Sequence, residues 1–264
     1  MRPWWDEGWR GILPISYGPS FILPAKTSLM TLGGRHTTLH GTVIRQTPQG
    51  DSNRLIEVLT SEQGRIRVLA RGARASKKRF AGKLDYFVRL RLHLDCRRPL
   101  WSLTAAELLK PRLGLRTNLE CFERATCLCE VINILCGEGE RSDEVHDALE
   151  EGLDALADGR IESAATAYLK IISACGFLPA FSCERCGAST RSMSRPNSMG
   201  ESFCSACTTA PTPLSPEVLA FLRGETGGAL TPLAEAENVL LDLVEAQAGR
   251  ALRSRQTSLG QDFD

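Results

Sequence analysis

Two periodicities divide the chain. Between residues 39 and 109, apolar and polar positions alternate. Ile66, Val68 and Ala70 interleave with Arg65, Arg67, Leu69 and Arg71, and Val88, Leu90, Leu92 and Leu94 with Arg89, Arg91 and His93. A period of two with one apolar face predicts half-buried strands. Residues 39–45, 54–60 and 100–108 complete a set of about five. Turn signals separate them at Pro48-Gln49-Gly50-Asp51, Glu62-Gln63-Gly64 and Arg97-Arg98-Pro99. Five short strands with no helical pattern between them predict a small antiparallel barrel.

After residue 113 the pattern turns helical. Thr117-Asn118-Leu119-Glu120 reads as a capping box ahead of Leu119, Phe122, Cys129, Ile132 and Cys136, which suit one helix face. Ser142-Asp143-Glu144 opens a second, acidic helix. Residues 161–175 form a third, ended by Gly176 and Pro179. Two more start at Ser215-Pro216 and Thr231-Pro232, each a capping residue followed by proline in the first turn. The last runs to about residue 252, and 253–264 reads as a frayed tail. The expected fold is therefore α+β and multidomain, with a barrel over 38–113 and a helical domain over 114–252.

Residues 1–37 fit neither part. They hold three of the four tryptophans, and Pro14, Gly18 and Pro24 break every apolar run. That makes a poor signal peptide. The segment reads as an atypical, disordered extension, a docking tail, or an early start site, with Met30 an alternative. No apolar run approaches 18 residues, so no membrane helix is expected.

Within the helical part, Cys183, Cys186, Cys204 and Cys207 form two Cys-x-x-Cys pairs seventeen residues apart. That spacing can close a tetrahedral four-thiolate site. The linker is rich in Ser and Gly and has no apolar period, so a structural Zn2+ would clamp a loop that cannot pack a core. A catalytic zinc usually keeps an open position with three protein ligands, and no histidine lies nearby. Redox or disulfide chemistry remains the alternative. The other six cysteines are scattered, mostly among apolar residues, and read as buried free thiols. A second metal site at Cys127/Cys129 is disfavoured, because a Cys-x-Cys pair on a helix points its sulfurs apart.

The net charge of +1 hides a strong polarity. Residues 65–98 hold twelve basic residues against Asp85 and Asp95, whereas 120–162 hold thirteen acidic residues against three arginines. From Arg65 to Lys83 no acid intervenes. Like charges in such a run are easier to explain if a polyanion offsets them. Arg65, Arg67, Arg71, Arg74, Lys77, Lys78, Arg79, Lys83, Arg89 and Arg91 are the candidate phosphate contacts. Phe80 and Tyr86 could stack on bases or belong to the core. No phosphate-cradling GxxxxGK[ST], Rossmann fingerprint or histidine cluster is present, and the strand region is poor in carboxylates. A binding protein rather than an enzyme is expected.

The phrases Gly50-Asp51-Ser52-Asn53, Leu59-Thr60, Gly64-Arg65, Ala70-Arg71-Gly72-Ala73-Arg74 and Arg79-Phe80 resemble, in order and spacing, the N-terminal domain of the RecO family of bacterial recombination mediators. The later helices with their four cysteines are similar to that family's layout. The resemblance covers roughly residues 38–250; the extension before residue 38 departs from it. It implies an OB-fold barrel, then a helical domain with a zinc finger at 183–207. It also implies binding of single- and double-stranded DNA, annealing of complementary strands, and cytoplasmic, nucleoid-associated work. The implied partners are RecR, sometimes RecF, and single-strand-binding protein, with RecA loaded indirectly. The rival readings are an RNA-binding OB-fold factor and a scaffold whose basic face docks an acidic protein.

Overall fold

The computed structural model describes residues 36–74, 76, 80, 82–97, 100–197, 199–208, 213–225 and 233–258. The expectations for residues 1–35, Lys77, Lys78, Arg79 and the Thr231-Pro232 cap lie outside this set, whereas His36 and Thr37, expected in the extension, belong to the first strand.

Five strands form as the alternation predicts: β1 (His36–Gln49), β2 (Asn53–Thr60), β3 (Gly64–Ala70), β4 (Arg89–Arg97) and β5 (Leu100–Lys110). They close a barrel in the order β1-β2-β3-β5-β4, the five-stranded OB-type architecture that the resemblance implies. All neighbours are antiparallel except β3 and β5, which run parallel through Val68↔Trp101 and Leu69↔Ser102. Period two puts Val43, Ile56, Val58, Val68, Leu90, Leu92 and Leu94 inside, all fully buried. Phe80 and Leu84, from the basic connection between β3 and β4, join the same core. Phe80 is only 3% exposed, so it belongs to the core and is not an available stacking surface.

A 3-10 turn at Leu113–Arg116 leads into α1 (Leu119–Leu135), α2 (Asp143–Ala157), α3 (Ser163–Ala174), α4 (Pro216–Leu222), α5 (Leu233–Ala248) and α6 (Arg253–Ser258). Ser142 and Ser215 cap α2 and α4 as expected, accepting from the N–H groups of Val145 and Val218. The cap of α1 falls one residue later than Thr117. Asn118 accepts from the Cys121 N–H, while the Thr117 hydroxyl donates to the Gly114 carbonyl and closes the 3-10 turn. Leu119, expected on the buried face, is 73% exposed; Cys129, Ile132 and Cys136 are buried.

The segment after residue 252 is not wholly a frayed tail. Residues 253–258 form α6 against α1, because Glu130 of α1 is a buried carboxylate that needs donors. It accepts from the Ser254 hydroxyl at 2.7 Å, the Ser254 N–H at 3.0 Å and Arg250 Nη1 at 3.1 Å.

The helical core reaches into the barrel. Ile44, Leu59 and Phe87, which point out of the barrel, pack with Leu128, Ile132, Leu149 and Leu153. Phe87 meets Phe122 edge-on at 5.3 Å between ring centroids. The β2–β3 turn fits closely against the helices. Gly64 has φ 62°, and a Cβ there would lie 1.9 Å from the Glu140 carbonyl oxygen. Beside it, the Gly139 N–H donates to the Arg65 carbonyl at 2.8 Å. Among the described residues, no helix is long and apolar enough to cross a membrane.

Candidate nucleic-acid interface and metal centre

The basic residues split into two groups. Arg65 points at the helices and is 18% exposed at its side chain. Its Nε donates to the Cys136 carbonyl at 3.0 Å and its Nη1 to Glu57 Oε2 at 3.0 Å. Arg89 pairs with Glu150 of α2 at 3.2 Å. Arg67 also reaches the helical half, through Glu138 at 2.9 Å, but stays about half exposed. These side chains neutralise acids of this chain, which accounts for part of the polarity between the two halves.

The second group lies at the rim of the barrel. Arg71 and Arg74 are exposed. The start of their loop is pinned to the β1–β2 turn. The Gly72 N–H donates to Asn53 Oδ1 at 2.9 Å, the Arg74 N–H to the Ser52 carbonyl at 3.0 Å, and Arg74 Nη1 to the Gly50 carbonyl at 3.2 Å. Gly50-Asp51-Ser52-Asn53 therefore shapes the loop that carries the arginines. Lys83 folds back, its Nζ donating to the Ala106 carbonyl at 3.4 Å. Arg91 lies on the outer wall, bonded to Glu107 at 2.7 Å and to His40 Nε2 at 3.3 Å. His93 shares Glu107 at 3.0 Å. Tyr86 is partly buried, packs against the helical core and donates to the Gln46 carbonyl at 3.3 Å.

A joint that no local pattern announces holds the barrel to the helices. Arg112 sits at φ 45° with its side chain 2% exposed. It donates to the Phe87 carbonyl at 2.8 Å, Glu150 Oε2 at 2.8 Å, Asp154 Oδ1 at 2.7 Å and Thr42 Oγ1 at 3.2 Å. The Thr42 hydroxyl donates to the other Glu150 oxygen. A fork of this kind is what a guanidinium supplies and an ammonium does not.

Partial burial by itself would raise the Asp154 pKa, but hydrogen bonds from Lys110 and Arg112 hold it below the usual value. The folded pKa is thus below the unfolded one, near about 3.9. The stabilisation is complete above the unfolded value and is lost as pH falls through the folded one. Thermal midpoints of the wild type and Asp154→Asn should therefore differ at pH 7 and converge as pH falls below the folded value.

The four predicted ligands come together. The sulfurs of Cys183, Cys186, Cys204 and Cys207 lie within 4.8 Å of one another, and those of Cys186 and Cys204 are 3.7 Å apart. Thiolates on a tetrahedral ion at about 2.3 Å would be about 3.8 Å apart. Each pair is shaped by a tight turn. The Gly187 N–H returns to the Cys183 carbonyl at 2.8 Å, with Gly187 at φ 70°, and the Cys207 N–H to the Cys204 carbonyl at 2.9 Å.

The backbone N–H of Cys204 leads in pulling the Cys183 thiol down to about 6. The neighbouring thiols, Cys186 first, push Cys207 up to about 12. Four crowded sulfurs cannot all ionise alone, and a bound cation removes that conflict, so the donor set fits a metal ion. Cys183, Cys204 and Met193 are buried and tie the cluster into the helical core. Cys127 and Cys129 are buried thiols on α1, and burial pushes Cys127 up to about 11.

Comparison with known proteins divides the chain at the same place. Residues 35–112 match the family model described as Recombination protein O N terminal, and 119–256 match Recombination protein O C terminal. The chain belongs to the RecO family. The first match coincides with the barrel; the second spans the helices, the four cysteines and most of α6. Similar RecO-family members carry the name DNA repair protein RecO. The one from Anaeromyxobacter sp. (strain K) is 32% identical over 240 residues, covering 83% of this chain and 94% of the relative. The one from Myxococcus xanthus (strain DK1622) is 30% identical over 227 residues, covering 80% and 92%.

Proposed function

We propose that this protein is a non-catalytic recombination mediator of DNA repair in the bacterial cytoplasm, at the nucleoid. It binds single- and double-stranded DNA and anneals complementary strands. With RecR, and in some settings RecF, it helps load RecA onto DNA coated by single-strand-binding protein. A structural Zn2+ held by Cys183, Cys186, Cys204 and Cys207 stabilises the helical half.

The observation that carries the reading is the placement of Arg71 and Arg74. Both are exposed on a loop pinned to the β1–β2 turn of an OB-type barrel, inside a basic run with no acid from residue 65 to 83. Lys77, Lys78 and Arg79 continue that run. Lys83, Arg67 and Arg91 add further positive charge on the barrel, while Arg65 and Arg89 are engaged with Glu57 and Glu150. Phosphate neutralisation lets two strands of like charge lie close enough to pair.

Salt dependence tests this directly. Neutralising about five phosphates of single-stranded DNA gives a log–log slope near −3.5. Arg71→Ala/Arg74→Ala/Lys78→Ala should flatten the slope by about 2 and weaken binding on the order of 100-fold at 0.1 M salt. A slope near zero in the wild type would contradict the reading. Equal or better competition by RNA of the same sequence would favour an RNA-binding factor.

A further inference from the structure

Two cysteines outside the four-sulfur cluster also meet. Cys136 ends α1 and Cys175 ends α3, and their Sγ atoms are 3.5 Å apart. Both are held by their backbones. The Cys136 N–H donates to the Ile132 carbonyl at 2.9 Å and the Cys175 N–H to the Ile171 carbonyl at 3.0 Å. The Cys136 carbonyl in turn accepts from Arg65 Nε. Closing the gap to a disulfide bond of about 2.0 Å requires about 1.5 Å of approach, within the reach of side-chain rotation.

The two sulfurs differ in access and in chemistry. Cys136 is 8% exposed, whereas Cys175 is half-buried. The hydrogen bond from Cys136 lowers the Cys175 thiol below its ordinary value, and the same contact, with burial behind it, raises Cys136. A more exposed sulfur with greater thiolate character beside a protonated partner is the usual arrangement of an attacking and a resolving cysteine.

We propose that Cys136 and Cys175 form an oxidisable dithiol, a covalent modification site that staples α1 to α3 where the barrel docks. A peroxide supplies the oxidising equivalents. The Cys175 sulfur attacks one peroxide oxygen and the O–O bond breaks. Sulfur is oxidised to a sulfenic acid, and the leaving hydroxide takes a proton to become water. Cys136 then attacks the Cys175 sulfur. The S–S bond forms, the S–O bond breaks, and the Cys136 proton leaves with the departing hydroxide as a second water. Two thiols and one peroxide give one disulfide and two waters. The product constrains the chain between residues 136 and 175, and its carbonyl anchor to Arg65 lies on the barrel.

The test uses the full-length, metal-loaded protein and hydrogen peroxide near stoichiometry. The products are alkylated under native conditions and mapped by mass spectrometry. The expected product is a Cys136–Cys175 linked peptide, lighter by two hydrogens, with metal content unchanged and full reversal by dithiothreitol. The oxidised protein should melt roughly 5 °C higher. Cys175→Ser should abolish the link, and Cys136→Ser should leave a sulfenic acid at Cys175 that dimedone traps. If both residues stay alkylatable while the four-cysteine cluster oxidises and releases its metal, the proposal is wrong. A link that forms only in denatured protein overturns it equally.

Discussion

Arg112→Ala lowers the thermal unfolding midpoint by about 10 °C, for a loss of about 3–5 kcal/mol. The size follows from what the guanidinium leaves behind. Glu150 is 7% exposed and, among the described residues, would keep only Arg89 as a charged partner at 3.2 Å. The Phe87 carbonyl would lose its donor, and Asp154 one of its two cations. Breaking one side of a buried pair costs more than the pair contributes, because the remaining charge stays out of water. Arg112→Lys restores charge without the fork, so it should recover only part of the loss. A midpoint within 2 °C of the wild type for Arg112→Ala would show that the barrel and helices do not depend on this joint.

Cys204→Ser removes a buried thiol of the four-sulfur cluster, and the proposed metal site predicts that bound metal falls from one ion per chain to none. Apparent zinc affinities of about 10–16 kcal/mol in finger peptides show how much local order such an ion can hold. The segment from 183 to 207 has turns, short bridges and few apolar residues of its own, so without the ion it should become sensitive to protease. Phe181, Cys183, Met193 and Cys204 pack into the helical core, so the damage should reach α4 and α5, while the barrel, with its separate interior, stays folded. Full metal occupancy in Cys204→Ser, or unchanged protease resistance without metal, would contradict the assignment.

Much of this architecture was legible because it rests on local rules. Alternation in β3 and β4 reports a buried face directly, and cysteine spacing reports a shared ligand point. Ser142 and Ser215 stand just before apolar turns and cap them. The failures share a cause: they are contacts between distant parts of the chain. Arg65 and Arg89 carry the same charge as Arg71 and Arg74, and nothing local reveals that they face α1 and α2. Glu150 and Glu130 look like surface charges on acidic or amphipathic helices, yet each is buried against partners far away in sequence, Thr42 and Arg112 for the first and Ser254 for the second. The α6 segment has little apolar character, and polar contacts hold it, from Ser254 to Glu130 of α1 and from Arg255 to Asp242 and Glu245 of α5. Phe80 sits in a stretch of charged residues, yet its ring packs into the barrel core.

The central claim is that the barrel rim at Arg71 and Arg74 handles DNA strands in repair. The most direct measurement is annealing of complementary oligonucleotides coated with the cognate single-strand-binding protein, comparing the wild type with Arg71→Ala/Arg74→Ala/Lys78→Ala. The account predicts fast annealing by the wild type and its loss in the triple variant, with thermal midpoint and metal content unchanged. No annealing by folded, metal-loaded wild type, or full annealing by the triple variant, would contradict it.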